Sequence, residues 1–122
     1  MLGYSRFMEP QFTSLSELPR FTLAEGVSGR ALFGEGAMLN LVELAPDARV
    51  PRHSHPHEQL GVVLSGKLNL IVSGQEHLLG TMDAYTLPGE LQHEAQAGPE
   101  GALVLDVFQP VREDYRAASA AD

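Results

Sequence analysis

The sequence predicts an all-β fold, a small antiparallel sandwich or barrel, on three observations. Turn signals recur at short intervals through the middle of the chain, at Gly34-Glu35-Gly36, Pro46-Asp47, Ser65-Gly66, Ser73-Gly74, Pro88-Gly89 and Gly98-Pro99. The segments between them are rich in Leu and Val. None of those segments reaches helical length, and short strands parted by Gly and Pro turns are the pattern of a sandwich or barrel.

Taken in order, residues 1–26 carry little periodicity and read as an N-terminal arm. Phe7, Phe12, Leu15, Leu18 and Phe21 make it apolar enough to pack across the barrel or a neighbouring subunit. Strands are expected over 37–44, 59–64, 67–72, 84–87 and 102–108, within a barrel spanning 27–110. In 67–72 the apolar Leu68, Leu70 and Val72 alternate with Lys67 and Asn69, as in a strand with one wet face. Residues 76–79 give a short hairpin strand on which His77 is a surface residue. The tail, 111–122, favours a short helix from Glu113. The whole chain, 1–122, reads as one domain, and 122 residues suffice to bury roughly two thirds of the unfolded surface.

Composition removes several classes of function. Cysteine is absent, so thiol nucleophiles, disulfides and cysteine-held metals are excluded, and any metal must be held by nitrogen and oxygen. Sixteen acidic against eight basic residues give a net charge of −8, with Lys67 the single lysine. No basic stripe is available for phosphate contacts, which argues against a nucleic-acid partner. No window approaches the ~20 apolar residues of a membrane span or the apolar core of a signal peptide, so the expectation is a cytoplasmic protein without a membrane partner.

The segment PRHSHPHEQLG holds three of the five histidines. Residues two apart share one face of a strand, so His53 and His55 can point the same way with roughly 6.5 Å between their α-carbons. On that spacing alone, a metal pair and a pair of surface histidines are equally good readings. A straight strand would carry Gln59 roughly 20 Å from His53. Pro56 interrupts the ladder, so the chain can turn near His57 and bring Gln59 back on the adjacent strand. His57 then sits at the bend and reads as a rim residue. Further on, MDAYTLPGELQHEA supplies a strand, a Pro88-Gly89 turn and a returning strand that begins at His93.

These residues resemble the cupin family. His53, His55 and Gln59 follow the spacing of the first cupin motif, and Gly66 closes it. Asp47 or a neighbour stands for the leading glycine, and Gln59 stands for the glutamate. Pro88, Gly89 and His93 resemble the second motif. HSHPHEQ, DAYTLPGELQHEA and LDVFQPVREDY together look like the pectin-degradation cupins that linearise unsaturated uronates, with Met82 where that family commonly has glycine. The resemblance implies a double-stranded β-helix, the RmlC-like jelly-roll barrel, usually dimeric. It also implies one divalent metal ion on His53, His55, Gln59 and His93, and a catalytic group of Asp106, Phe108 and Arg112.

Three imidazoles and a neutral amide leave a divalent ion its full charge, which favours polarising a sugar acid over activating oxygen. Nickel, zinc, manganese, iron and cobalt all suit such donors. Asp106 and Phe108 share a strand face by period two. If that face is interior, the carboxyl has a raised pKa suited to proton transfer, Phe108 stacks on a sugar ring, and Arg112 clamps a substrate carboxylate through two hydrogen bonds. The expected activity is ring opening and tautomerisation of a 4,5-unsaturated uronate. Two other classes fit the same motifs: a non-catalytic cupin that binds a sugar or small acid, and a metal-dependent oxygenase.

Overall fold

The structure, a computed structural model, describes residues 8–121. Eight strands follow one another: β1 (Phe21–Ala24), β2 (Val27–Phe33), β3 (Met38–Leu44), β4 (Arg49–His53), β5 (Glu58–Val72), β6 (Gln75–Leu79), β7 (Ala84–Leu87) and β8 (His93–Gln109). A helix, α1 (Glu113–Ala120), ends the described chain. β1 lies within the residues expected to form an arm, and its Phe21 is a core residue, whereas Phe12 is 94% exposed. Phe7 is outside the described residues. No helix among them is long and apolar enough to cross a membrane.

Every strand pairing is antiparallel, in the path β1-β2-β3-β8-β5-β6, with β4 added to β8 and β7 to β5. β5 and β8 run 15 and 17 residues and belong to both halves of the fold. The first half of β5 pairs with the second half of β8 beside β3 and β7, and the remaining halves pair beside β4 and β6. This is a jelly-roll barrel. The core between the halves is Val27, Val42, Leu44, Val63, Leu68, Ala97 and Val104.

Two expected turns are strand instead. Ser65-Gly66 and Gly98-Pro99 lie inside β5 and β8, where the register shifts on both sides of Ser65-Gly66 and residues 98–101 bulge opposite Lys67. Gly66 and Gly101 adopt φ of 79° and 81°, and a Cβ on Gly66 would run into the Gly101 carbonyl. The glycines thus let two long strands bend together from one half of the barrel to the other, where the sequence pattern suggested chain reversal. Ser73-Gly74 is a true hairpin turn, both residues having positive φ.

Register explains what faces inward. Asn40 of β3, Asp106 of β8, Gly61 of β5 and Tyr85 of β7 form one row across four strands. The next inward row on one side holds Met38, Phe108, Gln59 and Leu87, and on the other Val42, Val104 and Val63. The outward rows are unusually apolar for a sheet surface: Leu39, Val107 and Leu60 in one, Leu41, Leu105 and Val62 in the next. α1 leans on the polar end, with Tyr115 tilted against Phe21 and edge-on to Phe108, ring centroids 5.5 and 5.6 Å apart.

Candidate metal centre and cavity

Two loops in contact build the centre. β4 ends on His53, which pairs with His93 at the start of β8. Gln59 lies on β5 between Phe108 and Leu87. β4 therefore pairs with β8, and Gln59 does not return beside it on the adjacent strand, as expected, but arrives across the barrel. The turn at Pro56 is pinned from outside: the Glu90 N–H donates to the His55 carbonyl at 2.7 Å, and a Cβ on Gly89 would run into the Pro56 carbonyl. Only glycine fits that approach without a shift, so the Pro88-Gly89 turn holds the histidine loop in place.

His53, His55 and His93 each present a ring nitrogen, and these atoms lie within 4.8 Å of one another. The ring centroids of His53 and His93 are 4.4 Å apart. In every case Nδ1 is taken by a backbone carbonyl two residues away: His53 on Pro51 at 2.8 Å, His55 on His57 at 3.1 Å, His93 on Leu91 at 2.9 Å. A carbonyl can only accept, so each Nδ1 carries the proton and each Nε2 is left as a free lone pair. His57 supplies its carbonyl and stands outside the three-histidine group.

The arrangement fits a metal ion on two further observations. The Nε2 of His93 is buried without a hydrogen-bond partner. The Nε2 of His55 faces Oε1 of Gln59 at 3.1 Å. With Nδ1 protonated, these are two acceptors pointed at each other, a disposition that a shared cation satisfies. Burial, followed by the charges of Arg112 and His93, lowers the pKa of His55 to about 4. His93 is lowered as well, chiefly by burial. Both imidazoles are thus neutral at neutral pH, the form that ligates.

Beside the histidines, a cavity of about 380 Å³ is lined by His53, Gln59, His93, Asp106, Phe108 and Arg112 at one end and by Val42, Leu44 and Val104 at the other. Asp106 is 8% exposed and accepts a hydrogen bond from the Tyr85 hydroxyl at 2.6 Å. Burial raises its carboxyl to about 6 against the opposing pull of Tyr85, Gln59 and Arg112. Phe108 is 2% exposed and meets the rings of His55 and Tyr115 edge-on. The Arg112 guanidinium lies 3.8 Å from the Tyr115 ring centroid and 5.1 Å from that of Phe108. Its Nε and Nη2 already grip Asp114, at 3.3 and 2.9 Å, so the two-pronged clamp expected for a substrate is engaged, and Nη1 is buried without a partner.

Residues 40–108 match the family model of the cupin domain. The chain is a cupin. It is 28% identical to the pectin degradation protein KdgF of Dickeya dadantii (strain 3937) over 101 residues, 81% of this chain and 92% of KdgF. Among solved structures, KdgF from Halomonas sp. superposes with a TM-score of 0.81 at 26% identity, covering 88% of this chain and 99% of that one. An RmlC-like cupin from Shewanella frigidimarina NCIMB 400 gives a TM-score of 0.80 at 25% identity, covering 88% and 96%.

Within this cupin, the sequence reading passed over Tyr85 and Asn40. Both Asn40 amide atoms are buried without partners, in the row of Asp106. A signal was present: Asn40 breaks the otherwise apolar inward set Met38, Val42 and Leu44 of β3. Asp47, at or next to the position of the leading glycine, and Met82 have φ of 61° and 73°; aspartate tolerates that left-handed region, whereas Met82 is strained there.

Proposed function

We propose that this cupin opens the ring of a 4,5-unsaturated uronate and tautomerises it to the linear keto acid. His53, His55, Gln59 and His93 would hold one divalent ion, and Asp106, Phe108 and Arg112 would act on the substrate. The observation that carries the reading is the buried Asp106 carboxyl, titrating near neutrality in one cavity with the three-histidine cluster and a guanidinium. The likeness to KdgF supports it.

The reaction moves one proton within the substrate. The Asp106 carboxylate takes the proton of the anomeric hydroxyl, the bond from C1 to the ring oxygen breaks, and an aldehyde and an enolate result. Protonated Asp106 then returns the proton to C4, giving the ketone. A pKa of about 6 makes both forms of Asp106 accessible at neutral pH. The Tyr85 hydroxyl fixes the orientation of that carboxyl. Phe108 lies between the histidines and the arginine, and Arg112 would receive the substrate carboxylate on the fork that Asp114 holds. A bound divalent ion supplies Lewis-acid polarisation of substrate oxygen and stabilises enolate charge.

Absorbance of the unsaturated monomer tests the reading, with metal-loaded protein expected to speed its loss well beyond the spontaneous rate. Loss at the spontaneous rate, with saturable uronate binding, would leave the non-catalytic binder as the better reading. The uncharged outward rows at Leu39, Leu41 and Leu105 support pairing of two copies, for which light scattering should give twice the chain mass.

A further inference from the structure

We infer that Asp114 sets the affinity of the site for anionic substrates, by filling the fork of Arg112 that an incoming carboxylate must take. The inference deepens the proposed uronate chemistry and rests on Arg112 receiving the substrate carboxylate. Arg112 and Asp114 line the same cavity as His53, His93 and Asp106. The guanidinium side chain is 10% exposed, but that of Asp114 is 59% exposed, so the pair faces solvent through its acidic partner.

Arg112 does not need Asp114 to hold its place. Its backbone N–H donates to the Met38 sulfur, its carbonyl accepts from the N–H groups of Tyr115 and Arg116, and its guanidinium stacks on Tyr115. Nη1 is left buried and unpaired, although Asp114 has taken the other two directions. A carboxylate open to water is weakly held, and a substrate carboxylate with the same fork geometry can replace it. Asp114 therefore occupies the position a substrate carboxylate would take and weakens its binding by competition.

The test measures binding of galacturonate, a saturated uronate that has no 4,5 double bond to rearrange, and of the neutral sugar galactose, to wild type and to Asp114→Asn. The variant should bind galacturonate about three- to tenfold more tightly, with galactose unmoved, and KM for the unsaturated uronate should fall in step. Asp114→Ser, which removes the residual amide contact, should shift affinity the same way. Equal or weaker galacturonate binding by both variants would overturn the inference and make Asp114 a support for Arg112. A wild type that turns over the uronate while both variants bind unchanged sinks this inference alone. Absent turnover with tightened binding sinks the proposed reaction and leaves the inference standing.

Discussion

Along β5 and β8 the inward side chains change from Val63 and Val104, 0% and 2% exposed, to Gln59, Asp106 and Phe108 within a few residues. The apolar end is ordinary core, where each side chain is stabilised by the contacts it makes. At the polar end, buried atoms of Asn40, His57, His93 and Arg112 lack partners, whereas only Asn69 does so elsewhere among the described residues. Each such group costs about 1–3 kcal/mol. The site is held in shape by what surrounds it, the Pro88-Gly89 turn, the backbone carbonyls and α1, and the apolar end offsets its cost.

Exchanging one residue at each end should separate these roles. His93→Ala would remove a proposed ligand, so turnover should fall about a thousandfold, and because the buried Nε2 it deletes has no partner the loss of stability should be smaller than that of a core truncation. Leu68→Ala, in the apolar core, should cost about 2–5 kcal/mol in urea unfolding yet leave metal stoichiometry intact. If both variants lost stability and metal together, the two ends would not be separable.

Asp106 sharpens the contrast through pH. In metal-free protein the buried carboxyl titrates near 6 instead of the usual 3.8. Between those values the folded chain holds a proton that the unfolded chain has released, so stability falls as pH rises and the full penalty is present above about 6. Asp106→Asn should therefore raise stability by about 1–3 kcal/mol above that pH, a gain that vanishes below about pH 4, while turnover is lost. A pH-independent change in thermal midpoint would mean that the carboxyl is not held in an unfavourable state. The smallest effect is local: Met82→Gly should relieve left-handed strain at φ 73° and add about 1 kcal/mol without touching activity.

Much of this was legible in the chain, and the parts that were not share a cause. His53 and His55 could be paired because their spacing is local, His93 came from the second motif far along the chain, and the bend at Pro56 offered Gln59 a route but not the strand beside which it arrives. A strand was expected over 37–44 but not what its buried face meets, so Asn40 and Tyr85 stayed hidden until strand register brought them level with Asp106. The bends at Ser65-Gly66 and Gly98-Pro99 looked like turns because glycine serves both, and only the partner strand decides between them. The grip of Asp114 on Arg112 depends on side-chain direction, to which residue spacing is blind.

The most direct test of the account is a titration of metal-free protein with a divalent ion, followed by uronate turnover. Turnover should rise from the spontaneous rate and saturate at one ion per chain, with His93→Ala unresponsive. Full turnover in the metal-free protein, or an unchanged response after His93 is removed, would contradict the assignment of the three histidines and Gln59 as the working centre.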